Sequence, residues 1–277
     1  MGVGKLTRYA LPYSNVVAAG TATNNVTPGR TINNMTLKLG GTALTKAMLS
    51  LIKIKANGKV IMEGTGTQLE KLNAYKGQPS DVGYLDLPFA ERAGLTEFDR
   101  AVGAFDSSKG IANITSEVTI AGATAPTLQM ILNESAQQVT AGGTPAPFSG
   151  VMAKVLRYPF AMATGGTLPI TVPFGPQNGA VIKRLHIETA AGLVTGATVK
   201  LDGLVVHESL KLENEYEQKR WGRVPQANMY TIDFMVDGNV NKALDTRDAR
   251  QLEWLLTFSG ADSGNVIVEY LDTLGNL

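Results

Sequence analysis

Two side chains in this sequence change charge near neutral pH, His186 and His207. They are the first places to look for acid–base or metal chemistry. A metal-dependent double-stranded β-helix needs clustered histidines and carboxylates, and no His-x-His or His-x-x-x-His occurs. His186 falls in a predicted strand beside Arg184 and Glu188, and His207 ends a predicted hairpin strand next to Glu208. Both read as strand-surface or strand-edge residues.

The remaining candidates are weaker still. Gly4-Lys5 lacks phosphate-loop spacing, and Leu6 stands where that loop needs Ser or Thr. No Gly-x-Ser-x-Gly elbow is present. Glu213, Glu215 and Glu217, followed by Lys219 and Arg220, read as a solvated helix face rather than an acid–base pair. Asp245-Thr-Arg-Asp-Ala-Arg250 reads as a loop, with ion pairing across a subunit contact as the alternative. Asp262-Ser-Gly-Asn265 and Asp237-Gly-Asn239 carry oxygens that suit calcium. They lack the terminal Glu of a calcium loop and read as turns. The absence of cysteine excludes disulfides, thiolate zinc and cysteine nucleophiles. No catalytic or cofactor-binding residue is therefore assigned, and no enzyme activity is expected.

The elements that would carry such residues are strands. Thirty Gly and 12 Pro, with many Thr and Val, favour short strands joined by turns, and the class is all-β. Apolar residues make up 44%, enough for a sizeable core. Twenty-five basic residues balance 24 acidic ones, so no broad basic field is available for direct nucleic-acid binding. No run of about 18 apolar residues suits a membrane span. Met1–Arg8 shows neither a signal-peptide core nor a myristoylation pattern.

The chain repeats itself. Arg8-Tyr9 maps to Arg157-Tyr158 at an offset of 149, and Ile32 to Ile182 at 150. Gly20-Thr21 has its counterpart in Gly166-Thr167. Ile54-Lys-Ala-Asn-Gly-Lys-Val-Ile-Met-Glu63 matches Val199-Lys-Leu-Asp-Gly-Leu-Val-Val-His-Glu208 at 145. Thr119–Ala123 matches Thr257–Ala261 at 138, and the apolar strands Thr127–Ile131 and Asn265–Glu269 keep that offset. Order is conserved and the offsets drift slowly, as insertions and deletions in loops would make them. Thr140–Gly150 is Gly- and Pro-rich and reads as a linker. The domains are accordingly placed at 1–143 and 144–277.

Within each half a hairpin precedes a helix. Asn57-Gly58 and Asp202-Gly203 suit type I′ turns, since both positions need positive φ. Ile52 and Ile54 alternate with Lys53 and Lys55, one face apolar and one charged. Thr67–Tyr75 reads as a helix with Thr67 and Glu70 at capping-box spacing, and Leu210–Trp221 as a second with a Glu215–Lys219 pair. Strands are predicted at roughly 15–26, 31–39, 82–88, 98–105, 111–121 and 126–133. In the second half they lie at roughly 168–174, 180–188, 228–236, 251–259 and 265–271. Seven or eight strands per half suit two tandem eight-stranded jelly-roll β-barrels. An immunoglobulin-like sandwich is the alternative fold. Tyr9, Tyr13, Tyr158 and Phe160 begin the two halves, either as interface anchors or packed beneath their own barrels.

The run Leu39-Gly-Gly-Thr-Ala-Leu-Thr45, Ile54–Gly64 and Leu69-Glu-Lys-Leu-Asn-Ala-Tyr75 resembles the N-terminal jelly roll of major capsid proteins of tailless, membrane-containing, corticovirus-type bacteriophages. The resemblance covers roughly residues 10–80. It implies a double jelly-roll coat protein of a bacteriophage virion, made in the host cytoplasm. Such subunits form homotrimers of pseudo-hexagonal outline that tile an icosahedral shell over an internal lipid membrane. Its implied partners are itself, neighbouring trimers, penton or minor capsid proteins, and the membrane, towards which Lys5 and Arg8 could point. Calcium accompanies some such shells, with no ligand set assignable here. A two-domain carbohydrate- or receptor-binding β-sandwich is the rival reading. Its aromatic platform is thin, with only Trp221 and Trp254 available. A cupin-like enzyme ranks third.

Overall fold

The structure, a computed structural model, describes residues 5–108, 110–136, 150–177 and 179–277. The first half comprises β1 (Lys5–Tyr9), β2 (Ala19–Val26), β3 (Thr31–Thr42), β4 (Leu49–Ala56), β5 (Lys59–Gly64), helix α1 (Gly66–Tyr75), β6 (Tyr84–Pro88), helix α2 (Glu97–Ala101), β7 (Phe105–Asp106), β8 (Ile114–Ala121) and β9 (Ala125–Ser135). The second comprises β10 (Val151–Met162), β11 (Gly166–Ile170), β12 (Val181–Thr189), β13 (Val194–Leu201), β14 (Leu204–Leu210), helix α3 (Lys211–Arg220), β15 (Met229–Asp233), β16 (Leu244–Asp245), β17 (Leu252–Phe258) and β18 (Asp262–Thr273).

Both halves are jelly rolls. In the first, β1-β9-β3-β6 packs against β2-β8-β4-β5; in the second, β10-β18-β12-β15 packs against β11-β17-β13-β14. The order is the same in the two sets. The two-residue strands β7 and β16 add to β3 and β12. One parallel contact, Val155 opposite Met62, joins β10 to β5 and runs the two barrels into a continuous sheet. Residues 137–149, which hold the predicted linker and the expected 143/144 boundary, lie outside the described residues.

The duplication can be tested on hydrogen-bonded registers. β3 and β12 each carry a bulge at the same place, between Ile32 and Asn34 and between Ile182 and Arg184, which fixes their offset at 150. Lys53 opposite Glu117 becomes Thr198 opposite Leu255, which reproduces 145 for the hairpin and 138 for β8 and β17. The ends depart from the sequence reading. Thr7 pairs with Asn133 as Val155 pairs with Glu269, so β1 and β10 match at 148, and β9 and β18 at 136. The Arg8–Arg157 match was therefore one residue out of register. A one-residue slip exchanges the two faces of a strand.

The turns do what their residues require. Asn57 and Gly58 have φ of 48° and 81°, and Asp202 and Gly203 have 48° and 85°. Ile52, Ile54 and Ala56 point into the first barrel while Lys53 and Lys55 reach Glu63 and Glu117 outside it. Each core isoleucine contributes about 1.5–3 kcal/mol by leaving water. The cores are separate. Ile32, Met35, Leu37 and Phe105 lead the first, and Trp254, Leu256, Tyr270 and Ile187 the second.

Two local expectations fail. Residues 98–105, predicted as a strand, form α2 and a turn up to the start of β7 at Phe105, because Thr96 and Asp99 make a reciprocal capping box that starts a helix. At α1 the cap is Thr65 with Gln68, not Thr67 with Glu70. Position 66 in this first turn takes glycine because a Cβ there would lie 2.2 Å from the Lys46 carbonyl oxygen. The strands β1 and β10 are additional to the predicted set.

Candidate functional site at the barrel junction

Of the polar residues that sequence reasoning placed on the surface of β12, Arg184 and His186 turn out to be fully buried and Glu188 partly so. On β12, Leu185 and Ile187 point into the second barrel, so Arg184, His186 and Glu188 point out. Most of that outer face is shielded from water, with Glu188 partly exposed. Helix α1 and the loop after β6, both from the first barrel, cover it. Ile267, Val155 and Met229 of the second barrel complete the apolar core of the first across the same face. His186 is therefore fully buried, which corrects its assignment to a surface or edge.

The bulge at Ile182/Arg184 lets Lys183 and Arg184 reach the same partner, Glu91 of the first barrel, at 3.1 and 2.8 Å. Arg184 also meets Glu269 at 3.1 Å and Asp233 at 3.0 Å. From α1, Lys76 reaches Glu269 at 2.9 Å, Tyr75 donates its hydroxyl to Asp233 at 3.0 Å, and Gln68 and Lys71 donate to Glu188 at 2.8 and 2.6 Å. His186 bridges Thr231 Oγ1 at 2.9 Å and Glu269 Oε1 at 3.2 Å, with the Tyr75 ring edge-on at 5.4 Å. At the adjoining sheet contact, Arg157 meets Glu63 at 3.1 Å.

Protonation states follow from this packing. Burial works to raise the Glu269 carboxyl, but Lys76, Arg184, the His186 hydrogen bond and Lys183 outweigh it and hold it well below the usual carboxylate range. Glu91 is likewise pushed up by burial, yet Arg184 and Lys183 depress it further. Burial lowers His186, despite its bond to Glu269, so the imidazole is neutral. A buried network of this kind is costly to break, about 3–5 kcal/mol for one partner removed, although Glu91 Oε1 and Arg184 Nη2 have no hydrogen-bond partner among the described residues. What it can do chemically is hold two domains in one orientation.

The other sequence candidates scatter. His207 lies half-buried on the edge strand β14, with Tyr230 Oη 3.5 Å away. On α3 the ion pair formed is Arg220–Glu217, and Glu217 also accepts from the Trp221 indole. Asp245 and Arg247 pair within their own loop. Asp262 accepts the backbone N–H of Ala191, Leu193 and Ser263, and Asp237 that of Asn239. No cluster of three potential metal-binding side chains occurs among the described residues. Tyr13 is buried, hydrogen-bonded to Ser116, and Tyr158 and Phe160 pack on the second core, leaving Tyr9 exposed. Arg8 forks onto Glu134 at 2.9 and 2.8 Å. Trp254 is core. Sequence reasoning missed Glu91, Glu269, Asp233 and Lys76 altogether. A usable signal was Glu269 itself, a charge inside the apolar run Val266–Leu271.

Comparison with known proteins agrees with this architecture. Residues 7–139 match the family model of the viral coat protein P2 N-terminal domain, and residues 152–274 that of its C-terminal domain. Among solved structures, the major capsid protein P2 of bacteriophage PM2 superposes with a TM-score of 0.82 at 19% identity, covering 97% of both chains. A structure of Sulfolobus turreted icosahedral virus gives 0.71 at 15% identity, over 98% of this chain and 91% of that one. The PBCV-1 virus capsid gives 0.63 at 12%, over 96% and 93%. No curated protein matches in sequence. With both of its barrels matched, the chain belongs to the viral coat protein P2 family, a family of structural capsid proteins and not of enzymes.

Proposed function

We propose that this coat protein assembles as a homotrimer of pseudo-hexagonal outline, and that the trimers tile an icosahedral shell. The observation that carries the reading is the junction between the barrels. Strand β5 of the first barrel pairs in parallel with β10 of the second, and the helix after β5 covers the second barrel's outer face. The same pair of elements recurs in the second barrel as β14 and α3, where β14 is a sheet edge with no outer partner among the described residues. The first barrel's β1 is the matching edge, likewise without an outer partner among the described residues. A contact of one kind, repeated head to tail, generates a closed ring when the rotation closes. Two similar barrels per chain close a six-unit ring with three chains.

The interior of the virion, its lipid membrane and the penton or minor proteins of the shell enter this proposal from the family resemblance. Calcium is not built into it. Light scattering on the purified protein tests the assembly step. The reading expects three times the 29.4 kDa chain mass, and a monomer at every concentration overturns it.

A further inference from the structure

Within each chain, α1 offers a template for what α3 would do. The two helices stand 145 positions apart, and each is anchored to its own barrel by the same bond: Asn73 donates to the Asp86 carbonyl, and Gln218 to the Thr231 carbonyl. Their outer faces differ in one respect. Gln68 and Tyr75 are buried beneath the second barrel, whereas Glu213 and Arg220, at the same helical positions, are exposed. Tyr216 and Trp221, which replace Lys71 and Lys76, are 67% and 50% exposed.

The surface that would match is the outer face of β1-β9-β3-β6. The registers place Lys38 where the second barrel has Glu188, Tyr84 where it has Met229, and Ile131 where it has Ile267. Met229 and Ile267 lie buried under the first barrel. Tyr84, their counterpart on the uncovered face, is 42% exposed, and Lys38 has no ion-pair partner among the described residues.

The charges are exchanged between the two settings. Inside the chain the helix donates, through Gln68 and Lys71, to the carboxylate of Glu188. At the open positions the helix carries the carboxylate, Glu213, and the sheet carries the cation, Lys38. One Glu213 oxygen already accepts the Leu210 N–H, as Gln68 Oε1 accepts that of Thr65, which leaves the other oxygen for a partner. Placing α3 over a second barrel instead would set Glu213 against Glu188, two like charges.

We infer that α3 of one copy seats on the outer β1-β9-β3-β6 face of a second copy, with Glu213 paired to Lys38, its aromatic residues on Tyr84 and Ile131, and β14 alongside β1. This deepens the trimer reading and rests on it. The charge exchange then makes the contact directional: each helix accepts only the face that continues the ring.

The chain has no cysteine, so introduced thiols are the only ones. The double variant Glu213→Cys/Lys38→Cys, treated with a short bismaleimide, is expected to give covalent trimers on a denaturing gel, while each single variant stays monomeric. Independently, Glu213→Lys is expected to raise the concentration at which the trimer half-dissociates by about tenfold, and adding Lys38→Glu to restore it. A wild-type monomer overturns the trimer reading and the inference with it. A wild-type trimer that gives no cross-link and ignores the charge reversal overturns the inference alone.

Discussion

Asn73 and Gln218, 145 positions apart, hold equivalent helices to equivalent strands through the same hydrogen bond. Each side-chain amide donates to a main-chain carbonyl, of Asp86 at 2.7 Å and of Thr231 at 2.7 Å, and those two carbonyls are themselves 145 positions apart. The bulges, the hairpin turns and the strand orders repeat in the same way. The halves differ mainly in what lies outside them. One helix is covered by the neighbouring barrel, and the other is open.

The junction network holds the barrels in register, so removing its central cation is expected to be expensive. Arg184→Met leaves Glu91, Asp233 and Glu269 buried with fewer partners. The expected loss is about 3–5 kcal/mol in urea unfolding. A change below about 1 kcal/mol would show that the network does not carry the junction.

His186 sets a pH dependence. Burial lowers its folded pKa below the unfolded value of 6.5, so the unfolded chain binds more protons as the pH drops. Stability is full above pH 6.5 and falls as the pH moves from there towards the lower folded value. His186→Gln is expected to flatten this slope in melts taken between pH 7.5 and about pH 5. Glu91 and Glu269, held low, begin to lose their contribution as the pH falls through the ordinary carboxylate pKa, and lose it fully only below their depressed folded values. An unchanged slope in His186→Gln would move the effect elsewhere.

The two hairpins are the same device and are expected to respond alike. A Cβ at Gly58 or Gly203 meets nothing within 4 Å, so only the positive φ resists it. Gly58→Ala and Gly203→Ala are each expected to cost about 1–2 kcal/mol in thermal or urea unfolding. A large difference between them would mean that the turns are not equivalent.

Capping at α1 distinguishes two neighbouring threonines. Thr65→Ala is expected to cost about 1 kcal/mol, because its hydroxyl accepts the Gln68 N–H at 3.1 Å. Thr67→Ala is expected to stay within about 0.5 kcal/mol, because Thr67 is exposed and its hydroxyl meets only the Thr65 hydroxyl, at 3.0 Å, and caps no backbone N–H. The reverse order would restore the cap read from sequence spacing.

Period and turn chemistry made much of the fold legible. The alternation at Ile52–Lys55 and the Asn-Gly and Asp-Gly turns are local signals, and they hold because each barrel places one strand face inward. The junction was not legible for the same reason. Lys183, Arg184, His186 and Glu188 carry an outward-face pattern, and sequence period reports which side of a strand a residue takes, not what covers that side. The packing of α1 and of the loop after β6 turned a surface pattern into a buried one. At 98–105 the capping pair Thr96 and Asp99 overrode strand propensity, and at β1 and β10 the two-residue Arg-Tyr match could slip a residue without penalty in a single sequence.

The most direct measurement is imaging of the purified assembly by electron microscopy. Class averages viewed down the axis are expected to show six lobes in a hexagonal outline with threefold symmetry, two lobes for each chain. A twofold dimer, or a two-lobed single particle at all concentrations, would contradict the account.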